Sequence, residues 1–138
     1  MIVLDTNVLF ALMRDTPDPV VVGWLDNQPS ESIWTTSVTV FEIRVGIALL
    51  APSRRRMRLD EMFSQLLAED LDGRVQSFDV TAALAAATIA ATRQRSGRSV
   101  DIRDVQIAGV AASRHATVAT RNTRHFDGAG IDVVNPWD

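Results

Sequence analysis

Cysteine is absent from the 138 residues, which excludes a thiol nucleophile, a disulfide scaffold and a Cys-based zinc site. Lysine is absent as well, so all 14 basic side chains are arginine. That removes Schiff-base chemistry and the phosphate-gripping lysine of a P-loop, but it leaves guanidinium groups for two-point phosphate contacts. With the alanine richness, this bias matches nucleotide bias in the source genome, and its chemical consequence is the same whatever the cause. Long apolar runs are missing too. The most apolar stretch, Val80 to Thr92, is mostly alanine and too short to span a bilayer. The N-terminus has no basic segment, and Asp5 interrupts its first apolar run, unlike a secretory signal. These absences lead us to expect a soluble, cytoplasmic chain with no membrane association.

What is present suffices for a core. Apolar residues make up 46% of the chain, and at this length a compact fold removes roughly two-thirds of the unfolded surface from water. No repeat, linker or composition break divides the chain, so residues 1–138 are expected to form one domain. Seventeen acids against 14 arginines give a net charge of −3. That balance argues against a protein that coats nucleic acid, but a nuclease needs only a local acidic pocket and a local basic rim.

Short apolar runs alternate with helical spacing. Strands are predicted at Met1–Leu4, Ser32–Thr36, Val75–Phe78, Thr117–Thr120 and Ile131–Val134. Helices are predicted from Asn7 to Arg14, up to Asn27, from Val38 to Leu50, Arg54 to Leu71, Val80 to Arg95 and Asp101 to His115, with Pro52 and Gly73 as stops. Strand and helix in alternation imply βαβ units, right-handed crossovers and an α/β fold with helices on both faces of a parallel sheet. The alanine-rich helix would pack closely against the sheet or a partner.

Ligands of such sheets bind beyond the carboxyl ends of the strands, where Asp5 stands. Asp5 taken alone fits a helix cap as well as it fits chemistry. Glu42 lies in an otherwise almost wholly apolar helix, so it is expected to be buried and to need a partner or a metal. A salt bridge to Arg44 or another arginine is the alternative, but Arg44 is two residues away on another face, which favours the functional reading. Asp101 and Asp104 open a helix: Asp101 is the natural cap, whereas Asp104 shares the inward face with Ile107, Ala108 and Ala111. The loop after the fourth strand carries Thr120, Arg121, Asn122, Arg124, His125 and Asp127, a composition suited to phosphate. A solvated turn, which Asp127-Gly128 resembles, is the plainer reading of that loop.

Five segments in order carry a resemblance: Leu4-Asp5-Thr6-Asn7, Val40-Phe41-Glu42-Ile43-Arg44-Val45-Gly46, Asp104-Val105-Gln106-Ile107-Ala108, Ala119-Thr120-Arg121-Asn122 and Val134-Asn135-Pro136-Trp137. Together the chain resembles the PIN-domain toxins of the VapC/FitB group along its whole length. The resemblance implies a PIN-like three-layer fold with about five parallel strands. It also implies an endoribonuclease toxin of a type II toxin–antitoxin module, dependent on Mg²⁺ with Mn²⁺ as substitute and paired with a small VapB-like antitoxin. The family's acidic positions fall on Asp5, Glu42 and Asp104. A fourth falls on Asn122, where many relatives have aspartate.

Three converging carboxylates repel one another unless a cation neutralises them, and oxygen-only ligands favour Mg²⁺ or Mn²⁺ over zinc. As the resemblance implies, Asp5, Glu42 and Asp104 would hold the metal directly or through water, leaving 5′-phosphate and 3′-hydroxyl ends. Thr6, Thr120 and Asn122 are expected to support them, and Arg121 and Arg124 to contact the RNA backbone. A homodimer is expected, with surfaces on the alanine-rich helix and around Trp34 and Phe41. The run Arg54, Arg55, Arg56 and Arg58 reads as a solvated face, with an RNA or antitoxin rim as its rival. His115 reads as a helix-end cation and His125 as a loop residue, which argues against a histidine acid–base pair. A phosphoacceptor domain would also cluster acids, but it needs a lysine. The remaining alternative, kept open by Asn122, is a catalytically weak PIN-fold binding module acting through antitoxin or nucleic acid.

Overall fold

The computed structural model describes residues 1–138 as five parallel strands in the order β3-β2-β1-β4-β5. The strands are β1 (Ile2–Leu4), β2 (Ile33–Thr36), β3 (Val75–Gln76), β4 (Thr117–Ala119) and β5 (Val133–Val134). Ile2 pairs with both Ile33 and Thr117, which fixes β1 at the centre. Chain direction across the sheet reverses between β1 and β4, and there the carboxyl ends leave a crevice.

Alternation along β1 sends Val3 to one face and Leu4 to the other, and two cores follow from it. Leu4, Ile33 and Ala119 pack under α1 (Thr6–Leu12), α2 (Pro19–Asp26), α3 (Ser37–Ala48) and α4 (Arg54–Gln65), with Phe63 fully buried. Val3 and Val118 pack under α5 (Val80–Arg95) and α6 (Ile102–Ser113), with Phe126 closing the end. No helix is long and apolar enough to cross a membrane.

The expected α/β class and helices on both faces are what the chain adopts, with corrections at the element ends. The third and fifth strands shrink to two residues each. The helix expected to reach Leu71 leaves α-geometry after Gln65 and runs as a π-turn over Leu66–Asp70, closed by Leu71 N–H donating to the Leu66 carbonyl. Asp72 and Gly73 then take φ of 49° and 69°, the left-handed stop expected of Gly73.

The alanine-rich helix spends its small side chains on α6 rather than on the sheet. At Gly109 a Cβ would stand 2.5 Å from the Ala82 carbonyl oxygen and 2.6 Å from the Ala86 Cβ. Only glycine lets the two backbones meet, and this contact sets where α6 carries Asp104 relative to α5.

Candidate active site

Asp5 leaves the carboxyl end of β1 and caps α1, so capping and site placement coincide in one residue. Its Oδ1 accepts from Thr6 N–H at 2.8 Å. Its Oδ2 accepts from Thr120 Oγ1 at 2.8 Å and from Asn7 Nδ2 at 3.2 Å. Thr120, fully buried just past β4, also accepts from Asn7 Nδ2 at 3.1 Å and from Asn122 N–H at 3.0 Å. A hydroxyl has one proton to donate, and with both acceptor positions filled that proton is committed to Asp5. The β1–β4 crevice is therefore bridged by a carboxylate held entirely by neutral donors.

Glu42 comes from α3 and Asp104 from the first turn of α6. Glu42 Oε1 accepts from Thr6 Oγ1 at 3.2 Å, and Oε2 lies 3.6 Å from Arg103 Nη1. Asp104 Oδ2 lies 3.0 Å from His125 Nδ1. Asp101 caps α6 as expected, accepting from Arg103 and Asp104 N–H at 3.0 and 3.2 Å. Asp5, Glu42, Asp104, Asn122 and His125 all line one cavity of about 490 Å³.

Burial pushes the Asp5 carboxyl up, against the pull of its Thr120 and Thr6 hydrogen bonds. Burial also raises Glu42, with the Thr6 hydrogen bond opposing and the Asp5 charge adding to the rise. Asp104 is pushed up to about 6, first by burial and then by the charges of Asp101 and Asp5. Three acids that resist ionising beside one another form a site that gains from a cation.

The expected burial of Glu42 needs correction. Phe41 is 58% exposed and the Glu42 side chain 20%, because the Phe41 edge of α3 lies at the surface, with the Arg103 guanidinium 5.7 Å over the Phe41 ring. The ion-pair alternative for Glu42 is also realised, through Arg103 rather than Arg44. Arg44 instead pairs with Asp60 and lies over the Phe63 ring.

With Glu42 turned to Arg103 and Asp104 to His125, the side chains do not close a three-ligand cluster as they stand. The donor chemistry fits a hard divalent ion all the same: oxygen only, mutually repelling, and half-desolvated. Arg103 and His125 are the side-chain partners such an ion would displace.

Thr6 and Thr120 therefore sit where orientation of acids is needed, and Asn122 lines the same cavity. Arg121 and Arg124 do not line it. Arg121 stacks 4.7 Å over Trp137 in a neighbouring cavity with Arg55 and Arg58, which shares the Asn7 and Phe10 wall. Arg124 lies in another cavity beyond Asp104. From the Arg54–Arg58 run, Arg58 pairs with Asp15 at 3.1 Å. His115 is exposed at the end of α6 with φ of 52°.

Sequence reasoning missed Asn7, Arg103 and His125. The overlooked signal for His125 was its neighbour: Phe126, 1% exposed, anchors the 3₁₀ turn Thr123–Phe126 in the core and thereby holds His125 at the cavity.

Comparison with known proteins finds relatives along the whole chain. The chain is 37% identical over 138 residues to VapC ribonuclease Y4jK of Sinorhizobium fredii, covering 100% of this chain and 99% of that one. It is 36% identical over 137 residues to toxin FitB of Neisseria gonorrhoeae, covering 99% of each. The crystal structure of FitAcB from the same organism superposes with a TM-score of 0.89 at 36% identity, covering 99% of each chain. A family description, PIN domain, matches residues 2–131. By that match, and by relatives that span its whole length, the chain belongs to the PIN-domain family, in its VapC/FitB group.

Proposed function

We propose that this chain is a divalent-metal-dependent endoribonuclease, the toxin of a type II toxin–antitoxin module, hydrolysing RNA phosphodiesters at the Asp5–Glu42–Asp104 cavity. The observation that carries the reading is the convergence, at the sheet's switch point, of three acids whose pKa values are all raised by burial, with the Asp5 charge adding to the rise at Glu42 and Asp104. Its relatives' names include VapC ribonuclease and tRNA(fMet)-specific endonuclease VapC.

PIN-domain nucleases are generally divalent-metal dependent, and here Mg²⁺, with Mn²⁺ as substitute, suits ligands that are all oxygen. Bound between the carboxylates, the ion would lower the pKa of water and neutralise charge on the phosphate. The chain's own residues prepare that geometry. Thr120 and Asn7 hold Asp5 by Oδ2, Thr6 N–H holds it by Oδ1, and Thr6 Oγ1 holds Glu42. The Thr120 and Thr6 hydroxyls that hold Asp5 and Glu42 are neutral, so they cost the site no negative charge and leave its anionic field for the metal. Arg103, 3.6 Å from Glu42, would be freed by such an ion and could then meet a phosphate oxygen. Arg121 and Arg124 lie in two neighbouring cavities, one sharing the Asn7 and Phe10 wall and the other the Asp104 and His125 wall, which suits a strand that crosses the acid cavity.

Residues 1–138 act as one domain in this reading, and the partners are RNA and a small VapB-like antitoxin. The solved relatives include FitAB bound to a DNA fragment, at 36% identity. Arg103 already reaches Glu42 from within the chain, so an antitoxin arginine has a ready carboxylate to address. We also propose a homodimer, supported by exposed Phe41, Val80 and Leu84, which leave apolar surface on α3 and on the outer face of α5. Trp34 is half-buried, with its indole N–H on the Glu31 carbonyl, and adds less to that surface than Phe41. Light scattering at tens of micromolar, the range for weak association, should show the dimer; a monomer would remove that element.

Purified protein incubated with structured RNA should cut it with Mg²⁺ and stop with EDTA, and Asp5→Asn should abolish the activity while remaining folded. One observation favours the second reading, a catalytically weak binding module: Glu42 and Asp104 already have partners within the chain, Arg103 and His125. Metal-independent RNA or antitoxin binding with no cleavage in any divalent ion would select it.

A further inference from the structure

Beyond the Asp104–His125 wall of the acidic cavity lies a second cavity of about 470 Å³, lined by Arg93, Arg98, Arg124 and Ser99 together with Asp101, Asp104, His125 and Asp127. Arg93 is only 7% exposed, although it projects from α5 among polar groups. Its Nη2 donates to the Asp127 carbonyl at 2.8 Å, and Arg98 Nη1 donates to the same oxygen at 3.0 Å. The Arg93 Nε–H has no partner at all. None of the three arginines is in an ion pair. Gly128, with φ of 73°, gives Arg98 its place, since a Cβ there would stand 2.8 Å from Arg98 Nη1.

Two guanidiniums gathered on one carbonyl oxygen repel each other, and an orphaned buried N–H costs the desolvation of a charged group. The nearby carboxylates do not relieve this: Asp101 is engaged in capping α6, Asp104 is turned to His125, and Asp127 contributes its carbonyl. A tetrahedral oxyanion would satisfy both guanidiniums and the free Nε–H together.

We propose that Arg93 and Arg98, with Arg124 at the rim, form a phosphate subsite that grips the RNA backbone at a nucleotide neighbouring the scissile phosphate. The shared Asp104–His125 wall places this anion beside the acid cavity, so a strand spanning both would have one phosphodiester at the carboxylates and another on the arginines. The inference rests on the endoribonuclease reading, and it adds a register: the strand is held on the α5 side of Asp104.

The test is binding of a short single-stranded RNA in EDTA, where cleavage does not intervene. Arg98→Ala, at an exposed position, should weaken binding about tenfold and reduce the slope of log affinity against log salt by about 0.7, the loss of one phosphate contact. Arg93→Gln should do the same where circular dichroism shows it folded, and Arg95→Gln, exposed on the same helix, should leave both quantities unchanged. Replacing single phosphates by methylphosphonates should reveal one position at which Arg98→Ala no longer matters. Unchanged affinity and slope in Arg98→Ala, with wild-type RNA binding intact, would overturn the subsite. Stabilisation of the wild type by inorganic phosphate, lost in Arg98→Ala without any change in RNA affinity, would also overturn it, as a free-anion site. Failure of the nuclease reading looks different: the wild type itself neither cuts nor binds RNA.

Discussion

The acidic cavity and the arginine cavity share the Asp104–His125 wall, and their key groups, Asp5 in one and Arg93 with Arg98 in the other, are opposite in charge, yet each cavity anchors its key group in the same way. Asp5 is fixed by hydroxyl, amide and peptide donors, and Arg93 and Arg98 by a peptide carbonyl. Neither is neutralised by an ion pair. Elsewhere on the surface charges do neutralise one another, as Arg114 with Asp79 at 3.1 Å and Arg58 with Asp15. A charge positioned by neutral dipoles stays available to an outside counter-ion, whereas one already facing a side-chain partner, as Glu42 faces Arg103 and Asp104 faces His125, takes up a counter-ion only by displacing that partner.

The largest effect should come from erasing the negative side. Asp5→Asn, Asp104→Asn and Glu42→Gln should each lower RNA cleavage by more than the roughly 10–100-fold typical of outer-shell changes. Their metal-free thermal stability should stay equal or rise, because each relieves repulsion among buried acids. Full activity in any two of them would remove the acids from the mechanism, and Asp101→Asn should be the mild control.

Next in size is loss of a neutral anchor. Thr120→Val deprives Asp5 of its hydroxyl donor and leaves Asn7 Nδ2 and Asn122 N–H short of an acceptor. Activity should fall roughly 10–100-fold and stability by about 1–3 kcal/mol. Wild-type activity in a folded Thr120→Val would show that positioning by neutral donors is immaterial. Gly109→Ala tests the wall between the cavities, since its Cβ would meet the Ala82 carbonyl and force α5 away from α6. A loss of about 1–3 kcal/mol is expected, with RNA binding and cleavage both weakened.

Titration separates the two cavities more finely. Asp104 titrates at about 6 when folded against 3.8 as its ordinary value, so between them the folded chain keeps a proton that the unfolded chain has released. Its contribution is therefore most favourable near pH 4 and is lost as pH rises through about 6, by on the order of 2 kcal/mol. Thermal melts of wild type against Asp104→Asn should diverge over that window, and Mg²⁺ should stabilise the wild type more at pH 7 than at pH 5. Parallel pH profiles would place Asp104 outside the cation site. The smallest effect belongs to Asn122→Asp, which adds a charge at the acid cavity and should tighten Mn²⁺ binding measurably by calorimetry. Asp127→Asn should change little, because Asp127 faces the other cavity and serves through its carbonyl.

Sequence by itself determined the alternation of short apolar runs with helical patterns, and hence a parallel α/β sheet whose strand ends carry Asp5 and Thr120. It also marked the acids at 5, 42 and 104, because burial or a helix start is legible from immediate neighbours. It failed where a residue's surroundings come from far along the chain. Arg103, one position from a candidate acid, finds Glu42 61 residues earlier (103 − 42), and His125 finds Asp104 across a turn anchored by Phe126. The exposure of Phe41 was likewise invisible, since periodicity tells which face is apolar but not whether another element covers it. Tertiary structure alone decided that Arg93 is buried beside Arg98 on one carbonyl oxygen. That arrangement depends on α5 and α6 closing over Gly109 and on the loop at Gly128 folding back, and local sequence periodicity does not encode contacts made across such distances.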